Sequence, residues 1–292
     1  MAFPNVTLAI LAKDKAHVLP EYLKCIERQT YPKDKTRLYI RTNNNNDDTV
    51  KVLKDWLDTV RDKYLEIYLD DSNVPNSCAS RFELLSAIRQ DSVEWAKKRG
   101  DDYFVVDCDN FIFPDVLLEM SKTGLPVVGP MLTVDKGIYS NYHNKVTLNG
   151  YFMENPEYYL LYERKCRGLI MVDVINSCYY IRHRYLKYAD YITRSCSEDH
   201  EYAAFSRNLR KAHVDQYLDN RKPYGYISFC DQRESFQQER FFPKLFWLPP
   251  DFNWRKYFEL NPDVERAFSF IQEWGAIHHW LGWGYQEGRK YS

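Results

Sequence analysis

Asp107 and Asp109 flank a cysteine in the run DYFVVDCDN, directly behind the apolar stretch Tyr103 to Val106. Two carboxylates at i and i+2 leaving a strand end converge on one hard divalent ion, whose charge neutralises a diphosphate and steadies it as a leaving group. Such a tripeptide arises about twice by chance in a chain of this aspartate content, so its place at a strand end gives it meaning. The alternative is a pair of solvated acids. A second acidic pair, Glu198-Asp199 in SCSEDHEYA, opens a helical stretch. It reads either as an N-terminal capping and dipole pair or as the source of a general base, which takes the proton of an acceptor hydroxyl as it attacks a sugar carbon. Transfer from a nucleotide-sugar uses both devices, whereas a glycosidase uses two carboxylates without the metal-diphosphate clamp, so metal dependence separates the two classes.

These acids need a frame, and the first half of the chain supplies one. Val6 to Leu11, Arg37 to Arg41, Tyr64 to Leu69, Tyr103 to Val106 and Leu125 to Leu132 are apolar runs of strand length. Helical patterns separate them, with stripes such as Val50, Leu53, Trp56, Leu57 and Val60, and a long helix from Ser80 to a C-cap at Gly100. Strands alternating with helices predict a doubly wound α/β sheet, in which ligands bind outside the carboxyl ends of the strands, and Asp107 stands at such an end. Periodicity fades from Thr133 to Arg167, Val172 to Arg182 resumes as a strand, and the break Pro249-Pro250 separates a helical, aromatic-rich tail. The expected division is therefore 1–248 and 249–292.

Forty basic against 41 acidic side chains in 292 residues give a net charge of -1. That balance excludes the wholesale basicity of a nucleic-acid-binding protein. There is no GxGxxG and no GxxxxGK[ST], so the usual phosphate cradles are absent. The seven cysteines form no CxxC pair, which argues against a zinc knuckle or a disulfide framework and for a reducing compartment. No stretch qualifies as a signal peptide or transmembrane segment, and a cytoplasmic protein is expected.

The segments LAILAKDKAHVLPEYLKCIERQTYP, TNNNNDDT, GDDYFVVDCDN, VVGPML, YSNY, RG followed by VINSCYYI, and CSEDHEYA occur in an order and spacing that resembles the procollagen galactosyltransferases, over roughly Val6 to Ile227. The resemblance implies a GT-A fold with a mixed sheet, a UDP-sugar donor, Mn2+ (or Mg2+), and inverting transfer to a hydroxyl; in that family β-galactose goes to collagen hydroxylysine. It implies Asp107 and Asp109 as metal ligands, Asp199 as catalytic base with Glu198 second, and Asp107 and Cys108 also facing the donor. Ala12, Lys13, Asn45 and Asp47 are implied at the nucleoside, Arg81 near the donor, and Tyr139, Ser140 and Asn141 as a donor-sugar or acceptor wall. The bland alternatives are loop structure for Asn45 and Asp47 and an exposed helix-start cation for Arg81. A third metal ligand stays open between His200 and His213. This chain ends in GRKYS and lacks a signal peptide and an ER-retention C-terminus, so a glycan or a non-collagen protein is an alternative acceptor, and UDP-glucose or UDP-xylose an alternative donor. An inactive carbohydrate-binding protein of the same fold is the reading from another class. The tail, FNWRKYFELNPDV with HHWLGWGYQEGR, resembles a short helical module found with bacterial-type glycosyltransferases. Its aromatics at helical spacing read as a small core.

Overall fold

The computed structural model describes residues 3–74, 80–192, 200–249, 251–269 and 272–292. They fall into two compact units, Met1–Phe229 and Cys230–Ser292, a division that lies ahead of the Pro249-Pro250 break expected from the sequence.

In the first unit the strands are β1 (Val6–Ala12), β2 (Thr36–Thr42), β3 (Glu66–Asp70), β4 (Asp102–Val106), β5 (Asn110–Ile112), β6 (Val127–Pro130), β7 (Thr133–Val134), β8 (Tyr142–His143), β9 (Leu169–Val172), β10 (Val174–Ile175), β11 (Cys178–Ile181), β12 (Gln216–Asp219) and β13 (Gly225–Ile227). The helices are α1 (Leu19–Glu27), α2 (Thr49–Val60), α3 (Arg81–Arg99), α4 (Val116–Lys122), α5 (Pro156–Tyr162) and α6 (Glu201–Lys211). An eight-stranded sheet runs in the order β3-β2-β1-β4-β11-β6-β12-β9. β1 pairs in parallel with β2 and β4, β2 with β3, and β6 with β12. β1 is buried along almost its whole length, as a strand covered on both faces must be.

The sheet is mixed rather than wholly parallel because β11 runs antiparallel between β4 and β6 and the edge strand β9 runs antiparallel to β12. The stretch Val172 to Arg182, expected as one strand, is broken in two places: β10 leaves to pair with β8, and Ser177 turns the chain with φ +55°. Cys178 N–H donates to Asn176 C=O at 2.6 Å, closing a three-residue turn that a run of apolar letters conceals. β5, β13 and β7 form a small second sheet.

α3 starts after Ser80 and stops at Gly100, as read from the sequence; its start is a reciprocal capping box between Ser80 and Glu83 and Gly100 is left-handed with φ +72°. Its Val93 and Ala96 share a core with Tyr103 and Val105 of β4 and with Phe205 and Leu209 of α6. No helix among the described residues is long and apolar enough to cross a membrane. The second unit carries the helices α7 (Arg233–Gln237), α8 (Phe241–Phe246), α9 (Trp254–Leu260), α10 (Pro262–Phe268) and α11 (Gln272–His279). Its own core is Tyr257, Phe258, Val264, Ala276 and Trp280, which makes Trp280 a packing residue, while Trp283 stays half exposed.

Candidate active site

The chain winds outward from β1 through β2 to β3, then crosses to the other side of β1 for β4. The carboxyl ends of β1 and β4 therefore flank the reversal in strand order, the crevice where open α/β sheets bind ligands. Asp107 leaves β4 there with its N–H on the Ser177 carbonyl at 2.8 Å. Its carbonyl takes the Asn110 N–H at 2.9 Å, and the Asp109 carbonyl takes the Ser228 N–H at 2.9 Å. Both aspartates thus stand on backbone held from three sides. Lys15, just past β1, faces the Asp109 carboxylate at 4.0 Å.

A cleft of about 250 Å³ opens over these residues. Its charged lining is Asp107, Asp109, Glu201 and Arg89. Arg89, almost fully buried on α3, donates from Nη2 to Asp107 Oδ2 at 2.7 Å and lies with Nε 3.4 Å from Glu201 Oε1. Burial opposes its charge, yet the two carboxylates, Asp107 foremost, hold it firmly protonated. Burial, reinforced by the charge of Asp107 and opposed by Lys15, pushes the Asp109 carboxyl up to about 6. His143 is driven down to about 4 by burial, so its imidazole is neutral at neutral pH. Tyr139, with its ring edge-on to Phe229 at 5.2 Å, is pushed up to about 12 by burial and by the charge of Asp109.

Several buried polar atoms around the cleft have no partner among the described residues: Asp107 Oδ1, Arg89 Nη1, both amide atoms of Asn110, His143 Nδ1 and Ser177 Oγ. Most buried polar groups in folded proteins are paired, and an unpaired one costs about 1–3 kcal/mol. Their concentration at one cleft marks it as built for a polar guest.

Asp107, Asp109 and Tyr139 line the cleft as a group. Cys108 does not reach it: the side chain is buried and points its thiol at the Leu11 carbonyl, 3.4 Å away. Asn45 and Asp47 clasp the loop after β1, accepting from the Asp14 and Ala16 N–H groups at 2.9 Å each. Ala12 ends β1 and Lys13 follows it, exposed. Arg81 is exposed in the first turn of α3, and the cation that this helix contributes to the cleft is Arg89, about two turns further on. The wall expected of Ser140 and Asn141 needs correction. Both are buried, with Ser140 donating to the Leu132 carbonyl at 2.5 Å and Asn141 bonding Leu132 N–H and the Pro130 carbonyl at 2.9 Å each, so they shape the loop under Tyr139 and leave no side chain for a ligand. His213 is an exposed left-handed residue just past α6, and His200 packs on Phe82 at 4.5 Å. Asp199 and Glu198 lie outside the described residues; Glu201 and Tyr202, which follow them, line the cleft.

Sequence reasoning missed Arg89, Glu201, Asn110, His143 and Ser177. Arg89 left one trace: it shares the inward stripe of α3 with Ser86, Val93 and Ala96, where a cation needs a buried partner.

The N-terminal domain model of glycosyltransferase family 25 matches residues 3–240. The chain belongs to this family. Human procollagen galactosyltransferase 2 is 30% identical over 245 residues, covering 77% of this chain and 38% of that protein. Procollagen galactosyltransferase 1 of Danio rerio is 30% identical over 258 residues, covering 80% and 42%. Human inactive glycosyltransferase 25 family member 3 is 32% identical over 188 residues, covering 60% and 31%. The chain spans about two fifths of the length of the first two relatives. Among solved structures, S. aureus TarS 1-349 in complex with UDP-GlcNAc superposes with a TM-score of 0.51 at 14% identity, over 95% of this chain and 73% of that one. That likeness is one of fold, the GT-A arrangement of a mixed sheet flanked by helices.

Proposed function

We propose that this chain is an inverting glycosyltransferase that moves a sugar from a UDP-sugar to a hydroxyl group. Asp107 carries the reading: it stands at the strand-order reversal with one carboxylate oxygen on Arg89 and the other buried with no partner among the described residues, beside Asp109. An oxygen-only donor pair suits a hard divalent ion, Mn2+ or Mg2+. Among the described residues no group of three histidine, cysteine or acidic side chains is arranged to hold a metal ion, which suits an ion whose remaining ligands are donor phosphates and water. When bound, such an ion would offset the charge that grows on the departing diphosphate.

The residues of the chain divide the remaining work. Arg89 fixes the Asp107 carboxylate in one orientation, and Lys15 offers a second cation beside Asp109. The acceptor oxygen bonds to the anomeric carbon on the face opposite the phosphate, the carbon–oxygen bond to UDP breaks, and its electron pair leaves with UDP. We assign the acceptor proton to Asp199, with Glu198 second; that helix start is where Glu201 and Tyr202 border the cleft. Galactose is the first choice of sugar and collagen-like hydroxylysine of acceptor, supported by the procollagen galactosyltransferases among the relatives. UDP-glucose or UDP-xylose transfer to another glycan is the near alternative.

A second reading, an inactive carbohydrate-binding protein, is favoured by the two relatives named inactive or probably inactive. UDP release from UDP-galactose, UDP-glucose and UDP-xylose separates the two. The wild-type protein with Mn2+ is expected to release UDP above background and to fall to background with EDTA, and Asp109→Ala to lose about a hundredfold or more. Release that ignores both the chelator and the substitution contradicts the proposal, and no release from any donor favours the inactive reading.

A further inference from the structure

We propose that Asn110, His143 and Ser177 form a wall that reads the hydroxyl groups of an uncharged sugar, an inference that rests on the nucleotide-sugar reading above. The three come from separate elements, β5, β8 and the turn before β11, and all line the same cleft as Asp107 and Asp109. Asn110 has no exposed surface, and neither its amide oxygen nor its amide nitrogen has a partner among the described residues. His143 Nδ1 and Ser177 Oγ are in the same condition. The His143 ring lies between Phe152 at 5.3 Å and Tyr202 at 5.6 Å, which sets its orientation. Ser177 sits in left-handed backbone, a conformation unfavourable to a residue with a side chain, and that same turn gives its carbonyl to the Asp107 N–H.

The chemistry of the wall selects its guest. An amide, a neutral imidazole and a hydroxyl each offer both donor and acceptor capacity, which matches vicinal sugar hydroxyls, themselves donors and acceptors. The only cation lining the cleft among the described residues, Arg89, is engaged by Asp107 and Glu201. Asp107, Asp109 and Glu201 outnumber Arg89 on the lining and Lys15 beside it, so a carboxylate on the sugar meets an excess of negative charge and a uronic acid is disfavoured.

Calorimetric titration of the full chain in Mn2+ tests this with UDP, UDP-galactose, UDP-glucose, UDP-xylose and UDP-glucuronate as probes. At least one neutral donor is expected to bind more tightly than UDP alone, and UDP-glucuronate no more tightly than UDP. His143→Phe and Ser177→Ala are each expected to cut the ratio of neutral-donor to UDP affinity by roughly 5- to 30-fold, the worth of a hydrogen bond in a buried site, with UDP affinity unchanged. His143→Phe keeps the ring and removes an unpartnered polar atom, so its melting temperature should equal or exceed that of the wild type; a fall would assign His143 to the fold instead. Unchanged ratios in both variants, or UDP-glucuronate binding as tightly as the neutral donors, overturns the inference while UDP binding stands. Loss of UDP binding in the wild type overturns the underlying reading and this one with it.

Discussion

A guanidinium that touches two carboxylates and scarcely meets water cannot be removed without leaving both acids buried and unpaired. Arg89→Met should therefore lower stability by about 3–5 kcal/mol, measured by urea denaturation, whereas a cost under about 1 kcal/mol would mean that Asp107 and Glu201 find other partners. At the proposed metal site, Asp109 sets a pH limit on cation binding. With its carboxyl pushed up to about 6, protons compete with the cation below that pH, and Mn2+ affinity should be about tenfold weaker at pH 5 than at pH 7; a flat profile over that range would deny Asp109 its part. His143 acts on stability. Its folded value near 4 lies below the unfolded value of about 6.5, so between them the unfolded chain binds more protons. Its contribution is full above about 6.5 and is lost as pH falls toward 4, by up to about 3 kcal/mol. Asp109 slopes the other way over part of this window. The clean measurement is thus the difference in urea midpoint between wild type and His143→Phe at pH 4.5 and 7; the variant should be at least as stable at pH 7 and its advantage should widen at the lower pH, where only the wild type loses the contribution. At this scale Asp107 and Asp109 were legible because a strand signal runs directly into them. Asn110, His143 and Ser177 were not, because one asparagine, histidine or serine carries no periodic signal and its meaning lies in partners far along the chain.

Elements were legible where local chemistry dictates them. The capping box at Ser80 and the left-handed Gly100 fixed both ends of α3, and the buried run of β1 announced a strand covered on both faces. The antiparallel β11 was hidden because its direction is decided by the turn at Ser177, whose conformation its own sequence does not demand. Gly225 shows the same kind of dependence. It has φ +151°, and a Cβ there would run into the Phe111 carbonyl of the paired strand β5. Gly225→Ala should cost about 1–3 kcal/mol and displace β5, which begins at Asn110. The expected readout is a lower melting temperature together with a reduced preference for UDP-sugar over UDP. A variant with wild-type stability would show that β13 has room to move.

On the scale of the molecule, every residue lining the cleft belongs to the unit Met1–Phe229, and the family model covers that unit almost entirely. The α/β order and the strand-end site were readable from alternating periodicities; the unit boundary was not, because α7 and α8 precede the Pro249-Pro250 break and their short helices leave little pattern. The central claim is that Asp107 and Asp109 bind a divalent cation together with a nucleoside diphosphate. The most direct measurement is a Mn2+ titration followed by electron paramagnetic resonance, with and without UDP, on wild type and Asp109→Ala. The account predicts that UDP tightens Mn2+ binding to the wild type and that the substitution abolishes this gain. Equal Mn2+ binding by the two proteins in the presence of UDP would contradict it.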